Sequence, residues 1–231
     1  MFKRLVNYLR TSSDRIIISY KALRRLIGVL GILLPFICML GGWLFACDPV
    51  QPSISLYYYT NMRDFLVGLL FVVSLFLMTY KGTYKIDMVV TTITGIAGLC
   101  VALFPCYNEA LEEQRVGIFQ LYPETSNVVH LTFAAIFFLL LAINSYFLFT
   151  RIIDAVTPQK LKRNTIYRIC GIVIFICLIG LFASMILFSP EQRASSRIVL
   201  IFETIALLAF GVSWLVKGQT IWPDRVAPAS T

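Results

Sequence analysis

Six apolar stretches, each near the length of a bilayer-crossing helix, dominate this chain: residues 26–46, 65–80, 88–105, 128–150, 166–188 and 198–216. A hydrocarbon core about 30 Å thick is spanned by about 20 helical residues, with ~17–25 tolerated. The second and third stretches are short, but flanking residues can extend them. In hydrocarbon every backbone N–H and C=O must be bonded within the protein, so continuous apolar stretches are expected to be helical. A membrane β-barrel would instead alternate polar and apolar residues on a ~10-residue rhythm. In a chain of 231 residues the six stretches leave little for a soluble domain. The expected fold is therefore all-α, a polytopic six-transmembrane-helix bundle.

The chain is 58% hydrophobic and 14% charged, with a mean hydropathy of +0.81. Soluble proteins carry ~25% charged residues. The net charge of +8 raises the question of nucleic acid, but its distribution answers it. If each stretch crosses once and the N-terminus is cytoplasmic, 16 of the 20 Lys and Arg fall on the cytoplasmic side. Only Arg63, Arg115, Arg193 and Arg197 fall outside. Asp48, Asp64, Glu109, Glu112, Glu113, Glu124, Glu191 and Glu203 lean the other way. This is the positive-inside pattern. It reads as topology, predicts cytoplasmic N- and C-termini, and removes the argument for a nucleic-acid partner. The first stretch is too long for a typical signal-peptide core and is expected to remain as a helix.

Three regions follow: a basic segment over 1–25, a six-helix domain over 26–218 and a cytoplasmic tail over 219–231. In the first, Phe2, Leu5, Val6 and Leu9 recur at helical spacing beside Lys3, Arg4 and Arg10. That pattern suits an interfacial helix on an anionic membrane surface, and equally a solvated tail. The outer connections are 47–61, 106–127 and 189–197. Tyr57, Tyr58 and Tyr59, with Trp43, Tyr107 and Tyr122, are expected to form an aromatic belt at the interface. Cys38, Cys100, Cys170 and Cys177 lie within apolar stretches and read as small hydrophobes. Cys47 and Cys106 sit where two helices reach the outer face, so a disulfide between them is feasible if that face is oxidising.

Ionisable groups within spans are costly and usually face a cavity or a partner. Arg63 and Asp64 open the second helix, His130 opens the fourth, and Glu203 lies about two turns into the sixth. All four approach the outer leaflet and form the candidate ligand-binding set. Headgroup-depth hydration is the ordinary alternative for Arg63, Asp64 and His130. Glu203, among Leu200, Ile201, Phe202, Ile205 and Leu207, is expected to have a buried partner. On the sixth helix Glu203, Ala206, Phe210, Ser213 and Lys217 share a face. They could mark a polar path, or Lys217 could be an inner anchor beside Trp214. On the third, Asp87, Thr91, Thr94, Gly98 and Ala102 form a small, polar stripe suited to helix packing. Asp87 is expected to pair locally with Lys81 or Lys85.

Several chemistries have no footing. One histidine excludes a three-histidine zinc site, and neither CxxC nor HxxxH spacing occurs. No GxSxG elbow or phosphate-cradling loop is present. No metal, cofactor or catalytic residue is assigned. His130 with Glu203 or Asp64 could do acid–base work, but Ser53 and Ser55 have no base within their own segment, so no nucleophile is apparent.

The segment Tyr57-Tyr58-Tyr59-Thr60-Asn61-Met62-Arg63-Asp64-Phe65-Leu66-Val67-Gly68 resembles a family of uncharacterised bacterial inner-membrane proteins with a YYxTxxRDxxVG start to the second helix. Ala102-Leu103-Phe104-Pro105-Cys106, His130 and Phe210-Gly211-Val212-Ser213-Trp214-Leu215-Val216-Lys217-Gly218 fit the same resemblance. It covers most of the chain after residue 25 and implies a helical bundle in a bacterial inner membrane. It implies no activity. The expected role is binding, sensing or moving a small or lipid-like molecule, with membrane lipids as neighbours. A lipid-modifying enzyme using His130 and a structural or assembly protein working through its basic N-terminal segment are the alternatives.

Overall fold

The computed structural model describes residues 20–46, 50–108, 114–151 and 157–220. Most of the basic N-terminal segment, Cys47 and nearly all of the C-terminal tail therefore lie outside the described residues, and so does any Cys47–Cys106 pairing. Among the described residues there are helices and turns, with one isolated β-bridge between Val116 and Leu121.

The long helices are α1 (Tyr20–Gly41), α2 (Arg63–Thr79), α3 (Lys85–Leu103), α4 (Pro123–Ile143), α5 (Pro158–Leu187) and, after the short α6 (Pro190–Ser196), α7 (Ile198–Lys217). Wider π-type turns extend α1 over Gly42–Ala46 and α4 over Asn144–Leu148. Five of these, all but α2, are long and apolar enough to cross a membrane. The 17 residues of α2 extend about 26 Å at 1.5 Å per residue.

Local chemistry sets the helix limits. Pro123 and Pro158 stand in the first turns of α4 and α5, where a missing N–H costs nothing. Thr157 caps α5 by accepting from the Lys160 amide at 3.1 Å. Between α6 and α7, Arg197 takes a left-handed conformation (φ 51°), which turns the chain sharply.

The six long helices close into a ring. In order, α1 packs on α2, α2 on α3, α3 on α4, α4 on α5, α5 on α7, and α7 returns to α1. Each long helix turns some large apolar side chains away from the ring, among them Phe36, Leu75, Ile93, Leu139, Ile176 and Ile201. An outer surface of this kind is suited to lipid rather than water. The sequence stripe on α3 faces inward: Asp87, Thr91, Thr94, Gly98 and Ala102 are all buried. Thr91 and Thr94 donate back to carbonyls of their own helix at 2.9 and 2.7 Å, so they act in packing.

The two ends of the ring differ. The upper end holds the connecting residues 50–62, 104–108, 114–122 and 188–197. The lower end is basic and aromatic. There Trp214 is buried in T-shaped contact with Tyr80 and Phe149, at 5.0 and 5.2 Å between centroids. The Lys217 ammonium lies 4.8 Å from the Phe149 ring. Asp87 pairs with Arg151 at 3.2 Å rather than with Lys81 or Lys85, because the chain leaving α4 brings Arg151 over the start of α3. The Ser213 hydroxyl donates to the Phe210 carbonyl of its own helix at 2.8 Å. With Ala206 and Phe210 also buried, the α7 face is packed and does not present a polar path.

Candidate functional site

The connection after α1 folds into the mouth of the ring. It makes a 3-10 turn over Ser55–Tyr59, and Tyr57 and Tyr58 are buried there, at 1% and 8% exposure. These two tyrosines plug the upper end instead of forming a belt. Trp43 and Tyr122 do remain exposed. Tyr59 donates to the Cys106 carbonyl at 2.7 Å, which ties the plug to the end of α3. Burial, with Cys106 and Tyr58 nearby, pushes the Tyr59 phenol well above its ordinary range, so it stays a donor. Burial likewise pushes the Cys106 thiol up, with Glu203 adding to the effect, so it stays protonated.

From α7, Glu203 reaches up to this plug. Its Oε2 accepts from the Ile54 amide at 2.6 Å, and its Oε1 lies 3.5 Å from Ser55 Oγ. One turn earlier the Leu200 amide donates to the Pro52 carbonyl at 3.0 Å. That bond satisfies one of the N–H groups a helix start leaves unpaired. The connection and α7 are thus joined at both Pro52 and Ile54.

Across the mouth, His130 of α4 is buried at 4% exposure. Its Nδ1 lies 2.7 Å from the Phe104 carbonyl and its Nε2 lies 3.0 Å from Ser55 Oγ. A carbonyl only accepts, so Nδ1 carries the proton. The neutral imidazole then has an acceptor lone pair at Nε2, and Ser55 is the donor that fills it. The 3.5 Å separation from Glu203 is long for an O–H···O bond. The Ser55 proton therefore points to His130.

Below these groups lies a cavity of about 50 Å3, room for a few waters on the scale of roughly 10–15 Å3 each. Its polar lining is Ser55, Tyr58, His130 and Glu203. The rest is apolar, including Leu34, Leu66, Leu70, Phe137, Phe138 and Leu207. On the outside of the ring, between α2 and α3, runs a groove of about 440 Å3 lined by Arg63, Asp64, Gly68, Phe71, Leu103 and Ile118. Tyr58, Val67 and Ala102 line both spaces, so a thin wall of three side chains separates cavity from groove.

The four residues singled out in sequence thus divide. His130 and Glu203 meet through Ser55. Arg63 and Asp64 are exposed and line the groove instead. Arg63 still acts on the cavity at one remove: its Nη2 donates to the Tyr58 hydroxyl at 2.7 Å, and its guanidinium lies 4.4 Å from the Tyr58 ring centroid. Ser55, Tyr58 and the Phe104 carbonyl are the members that sequence reasoning missed. The base beside Ser55 comes from 75 positions further along the chain, and no local motif marks that pairing. Among the described residues, no group of His, Cys, Asp and Glu could hold a metal ion.

No family model, curated protein or solved structure matches the chain. The fold and its apolar helices define the class: an all-helical, multi-pass membrane protein. Beyond that class, function has to be read from the upper cavity and its wall.

Proposed function

We propose that this is a six-crossing protein of a bacterial inner membrane that binds, senses or moves a single-chain, lipid-like molecule in the upper groove, with its head toward the small cavity behind the wall. The positive-inside pattern supports an outer-leaflet position for that end. Exposed Phe65, Val72 and Leu75 on α2 support a sixth crossing, with both termini cytoplasmic. The observation that carries the reading is the shared wall of Tyr58, Val67 and Ala102 between a lipid-facing groove and a cavity polar at one end only. An amphipathic molecule matches that division: its apolar chain lies in the groove and its polar head lies toward Arg63 and the Ser55–His130 pair. Arg63, with five N–H donors, one of them on Tyr58, favours an anionic head.

Gly68 provides the test. A Cβ added there meets nothing within 4 Å, so Gly68→Phe fills the groove without crowding the bundle. Replacing a helical glycine also favours the helix by a few tenths to about 1 kcal/mol. Binding of lysophosphatidylglycerol with a fluorescent acyl chain to the detergent-solubilised full chain is expected to weaken at least tenfold, about 1.4 kcal/mol, with Tm unchanged or raised. The zwitterionic choline analogue is expected to bind less tightly than the glycerol form. Equal binding by wild type, Gly68→Phe and Arg63→Ala would refute the assignment.

A further inference from the structure

The arrangement around Ser55 goes beyond binding. Resting on the lipid-binding reading above, we propose that Ser55 is a nucleophile that takes the acyl group of an ester-bearing lipid, with His130 as its base.

The geometry supplies the parts such a step needs. A serine hydroxyl is a weak nucleophile until a neighbouring base accepts its proton, and that base must be held in one tautomer. His130 Nε2 lies 3.0 Å from Ser55 Oγ, and the Phe104 carbonyl on Nδ1 at 2.7 Å fixes the tautomer. The carbonyl takes the orienting place that a carboxylate holds in a Ser-His-Asp triad. Glu203 is a positioning residue: its bond to the Ile54 amide at 2.6 Å holds the segment bearing Ser55 in the mouth of the ring. Tyr58 faces the same cavity. Its oxygen accepts from Arg63 at 2.7 Å, which polarises the phenol, and in the proposed step its own proton goes to the developing oxyanion.

In the first half-reaction Ser55 Oγ bonds to the ester carbonyl carbon as its proton passes to His130 Nε2. The carbonyl π pair moves onto oxygen, where Tyr58 donates. The intermediate collapses with cleavage of the bond from carbon to the alcohol oxygen. The departing alcohol takes the proton from Nε2, leaving an acyl ester on Ser55. In the second half-reaction water attacks that ester and gives its proton to Nε2. The bond to Ser55 Oγ breaks, the serine recovers the proton, and the fatty acid leaves. A second alcohol in place of water gives acyl transfer.

An alkyl fluorophosphonate tests the nucleophile without the natural lipid, because Ser55 Oγ displaces fluoride from phosphorus by the same proton transfer. With the full chain in nanodiscs, one label per chain is expected on Ser55, identified by peptide mass spectrometry. Ser55→Ala is expected to abolish it. His130→Gln is expected to slow it by about a hundredfold or more, the scale of general-base assistance. Ser53→Ala is expected to leave it unchanged, since Ser53 Oγ accepts from the Leu56 amide at 3.2 Å and His130 Nε2 lies against Ser55. Lysophosphatidylglycerol binding by Ser55→Ala keeps the two claims apart. Binding retained in a wild-type protein that takes no label overturns the nucleophile and leaves the binding reading standing. Label on Ser55 with no lipid binding overturns the binding reading alone. Label elsewhere on the chain, or equal labelling of wild type and His130→Gln, overturns the Ser55–His130 assignment.

Discussion

Gly211→Leu is expected to prevent α7 from seating against α1 and to abolish a cooperative melting transition in detergent. The two helices meet backbone to backbone. A Cβ at Gly211 would lie 2.6 Å from the Gly28 carbonyl oxygen and 3.1 Å from the Ile32 amide nitrogen, and a Cβ at Gly28 would lie 2.7 Å from the Gly211 carbonyl oxygen. No side-chain rotation relieves a clash with main chain, so the helices themselves must part. Overpacking a well-packed contact costs about 1–3 kcal/mol and occasionally more, and this contact is at the severe end. Small residues give membrane helices the close approach that replaces a hydrophobic driving force between them. Because α7 carries Glu203 and Leu200, parting it from α1 also draws the latch from the mouth of the ring. Thermal melting followed by tryptophan fluorescence measures the effect, with Gly68→Phe as the internal contrast. A Gly211→Leu protein melting within a few degrees of wild type would contradict the packing described.

Glu203→Ala is expected to free the segment around Ser55–Tyr59 while the bundle below remains folded. Ile54 is buried at 4% exposure and its amide donates to Glu203. Leaving a buried donor without an acceptor costs about 1–3 kcal/mol, concentrated on one short connection. Glu203→Gln retains a carbonyl acceptor for that N–H and is expected to restore most of the closure. Amide hydrogen exchange reads this directly: faster exchange at Ile54 and through Ser55–Tyr59 in Glu203→Ala, near wild type in Glu203→Gln, and unchanged exchange in the middle of α5 in both. Uniform acceleration along the whole chain would mean that Glu203 supports the fold rather than the plug.

The contrast between these substitutions shows which parts of the molecule were legible in its sequence. The long helices were legible because the bilayer imposes length and hydropathy on a local stretch, and the buried α3 stripe because helical periodicity places Asp87, Thr91, Thr94, Gly98 and Ala102 on one side. Tyr57 and Tyr58 were misread as interfacial because composition cannot tell a tyrosine facing headgroups from one folded back into a ring. The partner of Asp87 was misplaced for a related reason: Lys81 and Lys85 are near in sequence, while Arg151 arrives only through the ring order. Glu203 was legible as an acid with a buried partner, but that partner is a backbone amide, which no sequence displays. The Ser55–His130 pair lay beyond local reading because neither residue sits in a motif. Only closure of α4 against the connection after α1 joins them.

The hydrogen bonds around His130 hold the upper site together, and this is the only histidine in the chain. Imidazole 15N NMR of histidine-labelled protein, purified on a tag without histidine, therefore reports that site without overlap. The predicted spectrum is a single neutral tautomer with the proton on Nδ1. The Nε2 resonance is predicted to show an accepted hydrogen bond and to move in Ser55→Ala, while the Nδ1 resonance stays in place. A proton on Nε2, or a mixture of tautomers unaffected by Ser55→Ala, would contradict the site.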